Sequence, residues 1–306
     1  MVWNPEGSVV LEVLPPTLKS GLEGLHRRLS RVRRLIENGD FDAVNIPEIH
    51  DEENRNDRGH RRHEYSARMQ PRELGRRIQD ELGIPAIVNH VVSFDPADQF
   101  LDWVNETVQG HDIHNLVLVG APHDRRQWPG PAVGEANQLI RQQFGSGEVC
   151  IGNICIPQRE DSPISEAVRM EQKAQDGADF FSTQIIFDGA DIISLLSDLQ
   201  DQAPNACGVP LLVSLCPVKR IRQLGFLRYL GVRVPDHLDS LLATVPEADC
   251  LDLSLEILSD IQGTLIDHQQ QHQSGPLLGW NIAPVGPIPI AAIETLMDRL
   301  PGSIRS

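Results

Sequence analysis

The sequence predicts an α/β fold, a (β/α)8 TIM-type barrel, on three observations. Short apolar, β-branched runs alternate with helix-like segments almost to the end of the chain. Eight such runs occur, each followed by a helical stretch, which is the repeat a closed parallel barrel needs. The first run ends in Pro15-Pro16. An open dinucleotide-binding sheet would be expected to carry a Gly-rich phosphate turn at such a place.

The first strand is expected at 8–14, where Val9-Val10-Leu11-Glu12-Val13-Leu14 is too short for a helix and is stopped by the prolines. Further strands are expected at 42–47, 85–92, 115–120, 148–154, 180–187, 209–216 and 277–282. Helices are expected near 18–37, 71–82, 96–109, 133–144, 163–176, 189–201, 217–231 and 288–299. Asn38-Gly39 closes the first, Asp95-Pro96 opens the third, and Gly177 and Gly231 end later ones. The 306 residues then form a single barrel domain with two interruptions. One is a charged loop insertion near 49–70, containing His50, His60 and His63. Its mixed charges and irregular spacing read as a solvated loop rather than a metal or phosphate site. The other is a helical insertion near 236–272, ending in a Gln-rich run.

Composition narrows the function. A net charge of -16 argues against nucleic acid and anionic membranes as partners. No apolar stretch is long enough to span a bilayer, and no secretory leader is visible. Five cysteines, odd in number and without a CxxC pair, read as reduced thiols of a cytoplasmic protein. Of 27 basic residues only Lys19, Lys173 and Lys219 are lysine.

Barrel chemistry gathers at the C-terminal ends of the strands. Those ends supply Glu12, Asn45 or Glu48, Asn89 or His90, Gly120, Pro157 with Gln158, Thr183 or Gln184, Cys216 and Asn281. Glu12 interrupts an apolar strand, where a carboxylate must be paired, protonated or in use. Gln184 interrupts another. A carboxyl, a histidine and several amides suit a neutral heteroaromatic ligand. His90 can equally be a core histidine, Gln184 a strand bridge and Asn281 a loop cap. No nucleophile with an adjacent base and no metal-spaced cluster stands out.

An ordered set of motifs resembles the methylenetetrahydrofolate reductase family. Leu11-Glu12-Val13-Leu14-Pro15-Pro16 resembles its opening strand, and His90 through Asp95 its third strand and turn. Lys173-Ala174-Gln175-Asp176-Gly177-Ala178, Thr183-Gln184-Ile185-Ile186-Phe187-Asp188 and Pro217 through Pro235 resemble later segments. The resemblance implies a barrel that reduces methylenetetrahydrofolate to methyltetrahydrofolate in one-carbon metabolism, upstream of methionine biosynthesis. It implies Glu12 as the catalytic general acid, Gln184 as holding the pterin and Lys173 on the flavin side; from the strand ends, His90 and Asn281 are further expected to bind folate, and Gly120 and Thr183 to lie on the cofactor side. It implies FAD, but that site departs from the family. Val119-Gly120-Ala121-Pro122 lacks the family's Arg and Asp, and Ile156-Pro157-Gln158-Arg159-Glu160 lacks its Tyr and His. The expected hydride donor is therefore NAD(P)H acting directly, and the expected partners are a folate and a nicotinamide nucleotide. A homo-oligomer is compatible with the sequence. The alternative is a folate- or pterin-binding barrel that serves methyl transfer or a non-redox accessory role.

Overall fold

A computed structural model describes residues 3–51, 59, 64–121, 127–159, 162–272, 275–286 and 288–298. Eight parallel strands close in sequence order. They are β1 (Val9–Glu12), β2 (Ala43–Ile46), β3 (Ala86–Val91), β4 (Asn115–Val119), β5 (Cys150–Cys155), β6 (Phe180–Thr183), β7 (Leu211–Leu215) and β8 (Leu278–Ile282). Each lies inside its expected segment to within a residue. β1 pairs with both β2 and β8, with Val10 opposite Ala43 on one side and Asn281 on the other. No edge remains unpaired.

Strand alternation divides the side chains. Val10, Ala43, Ile87, Val117, Cys150, Phe180 and Leu212 point inward and pack with Trp3. Trp3 plugs the N-terminal end, edge-on to Phe180 with centroids 5.2 Å apart. Gly152 makes this filling possible, because a Cβ there would lie 2.2 Å from the Phe180 ring. The interior is a packed core, and only the layer above it is open to chemistry. The outward set, including Leu11, Val44, Val88, Leu116, Leu211, Val213 and Trp280, joins the helices in the main core.

The helices on that outer face are α1 (Gly21–Asn38), α2 (Pro71–Leu82), α3 (Ala97–Asn105), α4 (Val133–Phe144), α5 (Glu166–Gln175) and α6 (Gly189–Gln202). Beyond β7 come α7 (Arg222–Tyr229), α8 (Asp236–Leu242) and α9 (Cys250–His272), and after β8 comes α10 (Ile290–Asp298). Gly177 and Gly231 take φ of +108° and +83°, the left-handed region glycine tolerates.

The insertion sits differently from its expected place. α9 packs between α6 and α10, and its Leu255, Leu258, Ile261 and Leu265 enter the main core. It therefore fills the outer-ring position expected of 217–231. Leu224 and Leu227 of α7 join Leu238 and Leu242 of α8 in a separate cluster over Ile185, Phe187 and Cys216. This cluster lies beyond the ends of β6 and β7.

Of the charged stretch near 49–70, His60 and His63 lie outside the described residues. Among the described residues no group of three or more His, Cys, Asp or Glu could hold a metal ion. No helix among them is long and apolar enough to cross a membrane.

Candidate active site

Glu12 is the last residue of β1 and shares the inward face with Val10. Its carboxylate meets amides from both neighbouring strands. Asn45 Nδ2 donates to Glu12 Oε2 at 3.3 Å, and Asn281 Nδ2 donates to the same oxygen at 3.4 Å. Asn281 Nδ2 also donates to Ser214 Oγ at 3.0 Å, and Ser214 Oγ lies 3.5 Å from Ser182 Oγ. A polar network thus runs around the mouth from β2 through β1, β8 and β7 to β6.

Burial pushes the Glu12 pKa above the ordinary carboxylate value, against the two amide hydrogen bonds, which favour the ionised form and lower it. Burial wins. The donors are neutral, and no cation is among the groups acting on the carboxyl. A carboxyl that keeps its proton toward neutral pH can act as an acid.

The amides of Asn45 and Asn281 are only half used, and the Asn89 side chain makes no hydrogen bond among the described residues. Asn45, Asn89 and Asn281 are 7%, 9% and 3% exposed, and the Oδ1 of each is buried without a partner. Three unanswered acceptors in one mouth are costly unless water or a ligand brings donors. Gln184 follows β6 on the inward side of Phe180 and Ser182. Its Oε1 accepts from the Ile185 amide at 3.0 Å. No partner for its Nε2 occurs among the described residues.

Where two neighbours were open in the sequence, strand parity decides. Asn45 and Asn89 face the mouth. Glu48 and His90 form a separate group. His90 shares the outward face with Val88 and stacks on Trp103 of α3, with centroids 3.9 Å apart. Its Nδ1 lies 3.2 Å from Glu48 Oε2, and His50 Nε2 lies 3.1 Å from the same oxygen. The Val91 amide donates to that oxygen too, at 2.8 Å. His90, expected to bind substrate, is therefore held between barrel and helix, away from Glu12.

Two of the expected cofactor-side residues are likewise engaged. Lys173 Nζ, on α5, donates to the carbonyl of Ile154 at 2.7 Å. Burial lowers its pKa, and the nearby carboxylate of Glu166 works the other way. Thr183 Oγ1 accepts from the Ser214 amide at 2.8 Å, on the outer side of β6. Gly120 follows β4 at the mouth, and a Cβ there would meet only Val133, at 3.4 Å.

Cys216 is buried, and burial pushes its thiol up to about 12, with the Glu12 charge adding to the effect. It is no nucleophile at neutral pH. All five cysteines are free. Ser182 and Ser214 were missed as site residues. The available signal was a hydroxyl interrupting each apolar strand two residues after an inward Phe180 or Leu212.

One relative is methylenetetrahydrofolate reductase 2 of Schizosaccharomyces pombe, 22% identical over 222 residues. The match covers 66% of this chain, which spans only 34% of that protein's length. Among solved structures, an uncharacterized protein from Clostridium thermocellum, described as binding two copies of 5-methyl-5,6,7,8-tetrahydrofolic acid, has the same fold. It superimposes with a TM-score of 0.73 at 21% identity, covering 96% of this chain and 95% of that one. Residues 4–257, most of the chain, match the family described as methylenetetrahydrofolate reductase, and the chain belongs to that family.

Proposed function

We propose that the barrel binds a tetrahydrofolate with its pterin in the polar mouth, and that it reduces the methylene bridge of methylenetetrahydrofolate to a methyl group. The observation that carries this reading is a protonatable carboxyl, Glu12, set among amides with three buried, unanswered carbonyl oxygens. A pterin edge offers ring and amino N–H donors to such acceptors. Asn45, Asn89, Asn281 and Gln184 bind and orient the ring.

Glu12 gives its proton to the departing amine of the bridge. The carbon–nitrogen bond breaks and leaves an iminium on the other nitrogen. Hydride then adds to the methylene carbon, with its electron pair, and yields the methyl group. Glu12 is left as a carboxylate and takes its next proton from solvent. The three amide oxygens accept ring donors before and after the step, so the ring stays in register while charge moves.

The hydride comes from NAD(P)H, bound as a second substrate. Two of the residues expected on a flavin side are held by backbone groups instead. Lys173 is committed to the Ile154 carbonyl and Thr183 to the Ser214 amide. No step is therefore assigned to flavin. The five free thiols suit a reducing, cytoplasmic setting.

The commitment of Lys173 and Thr183 to backbone also favours a second reading, a folate-binding barrel without redox chemistry. One assay separates the two. Purified protein is given methylenetetrahydrofolate with NADH or NADPH, and nicotinamide absorbance is followed. Oxidation matched by methyltetrahydrofolate supports the reductase. Folate binding without oxidation supports the binding module. Absence of folate binding sinks both.

A further inference from the structure

Beside β1, on α1, one arginine has no counter-charge among the described residues. Arg28 and Arg31 lie on α1 in the stripe Gly24, Arg28, Arg31, Leu35, whose spacing places them on one side of the helix. Gly24 and Leu35 are buried, and both arginines are half-buried. Side chains on a helix lean toward its N-terminus, here the end at the barrel mouth. Arg31 Nη2 donates to the carbonyl of Ile288, ahead of α10.

A second segment closes on the same rim. Thr17 pairs with Arg68 in an antiparallel bridge, flanked by Leu18 N to Ala67 O at 2.8 Å and Met69 N to Pro16 O at 3.0 Å. Arg68 Nη1 donates to the Pro15 carbonyl at 2.5 Å. Pro15 is three residues beyond Glu12, a span of at most about 11 Å. The rim is thus tied to the mouth by a short stretch of chain.

Arg31 and Arg68 have carbonyls to bind. For Arg28, no hydrogen bond or ion pair occurs among the described residues. Burial lowers its pKa, and Arg68 and then Arg31 lower it further. No carboxylate is among the groups acting on it. A half-buried cation with no acceptor or carboxylate beside it is unfavourable in a chain with 43 acidic residues to choose from. An anion from outside would relieve it.

We infer that Arg28, supported by Arg31 and Arg68, binds the anionic end of a ligand whose ring lies beside Glu12. This rests on the mouth being a ring-binding site as proposed above. The shared chemistry is an oxyanion able to accept forked N–H donors. It has two sources, the carboxylates of a folate's glutamyl tail or the phosphates of the nicotinamide nucleotide.

Calorimetry on the full chain and on Arg28→Gln tests this with four probes: inorganic pyrophosphate, tetrahydropteroate lacking glutamate, triglutamyl methyltetrahydrofolate, and NADPH. Pyrophosphate should bind wild type at low salt and bind the variant about tenfold or more weakly, the loss expected for a charge-assisted contact. If the tail is the source, triglutamyl folate should weaken by a similar factor while tetrahydropteroate is unchanged. If the nucleotide is the source, NADPH should weaken and both pterins should not. Arg28→Lys should recover part of the loss. Equal binding of pyrophosphate, triglutamyl folate and NADPH by wild type and variant would overturn the inference. Failure of the mouth reading looks different: tetrahydropteroate would not bind wild type at all, while pyrophosphate would still discriminate the variant.

Discussion

Glu12 and Asn281 are 269 residues apart in the chain, yet Asn281 Nδ2 lies 3.4 Å from Glu12 Oε2. The contact exists because β1 and β8 pair at the closing seam of the barrel. The acid is therefore assembled by the whole fold, from the first strand, the second and the last. Its proton affinity is set by burial against two weak amide contacts.

The first prediction concerns Glu12 itself. Glu12→Gln keeps the shape and the hydrogen bonding but removes the transferable proton. Folate affinity by calorimetry should stay within a few-fold of wild type, while turnover falls at least ~100-fold. Near-wild-type turnover would remove Glu12 from the acid role.

The second concerns pH. Glu12 is active when protonated, so kcat should fall as pH rises through its raised pKa. Asn281→Ala deletes a donor that lowers that pKa, so this limb should move to higher pH. Stability follows the same sign. The folded state holds the Glu12 proton more tightly than the unfolded chain does, so wild type loses stability as pH rises through the raised pKa. Glu12→Gln is neutral throughout. Its melting temperature should exceed that of wild type by a margin that widens toward alkaline pH. A margin independent of pH would show that Glu12 is not held protonated by the fold.

Strand positions were legible in the sequence because each run is apolar on both faces and bounded by turn residues. Polar residues that interrupt such runs stood out in the sequence, and two of them, Glu12 and Asn281, meet in the structure. The choice between adjacent residues was not legible. Asn89 and His90 are both polar, and only closure of the sheet shows that His90 faces Trp103 of α3. The roles of Lys173 and Thr183 were hidden for a related reason. Motif spacing places the residue, but the backbone carbonyl or amide that engages it comes from another strand. The seventh ring position was not legible, because only closure of the barrel shows that α9 packs between α6 and α10.

A third prediction concerns Gln184. Its Oε1 is engaged by the Ile185 amide, which fixes the side chain and leaves Nε2 available to a ring acceptor. Gln184→Ala should weaken folate binding by about 1 kcal/mol, roughly fivefold in Kd, with a smaller effect on kcat at saturation. Unchanged affinity by calorimetry would make Gln184 a part of the barrel lining only.

The Glu48 group supplies a fourth. Burial alone would raise the Glu48 pKa, but the His50 and His90 imidazoles beside it overcome that and bring the value to about 2. The carboxylate therefore contributes stability above its ordinary pKa, and the contribution is lost as pH falls from there toward about 2. Glu48→Gln should cost on the order of 2 kcal/mol at pH 7, the scale of charged hydrogen bonds. The gap in melting temperature should shrink in acid. A gap of constant size from neutral to acid pH would show that the carboxylate's charge is not what binds the two histidines.

The last prediction concerns flavin. Holding a dinucleotide flavin requires donors for its phosphates and contacts for its ribose and ring. At the end of β4, Val119-Gly120-Ala121 offers neither cation nor carboxylate. Lys173 donates to the Ile154 carbonyl, and its burial disfavours the charged form a phosphate would need. The Thr183 hydroxyl faces the Ser214 amide on the outer side of β6. The protein should therefore purify colourless and oxidise NADH or NADPH with methylenetetrahydrofolate without added FAD. With no carrier to hold the hydride between half-reactions, both substrates must occupy the mouth together. Double-reciprocal plots at several fixed folate concentrations should then intersect rather than run parallel. A yellow preparation with near-stoichiometric flavin, or activity strictly dependent on added FAD, would falsify this reading and require Lys173 to exchange the Ile154 carbonyl for the cofactor.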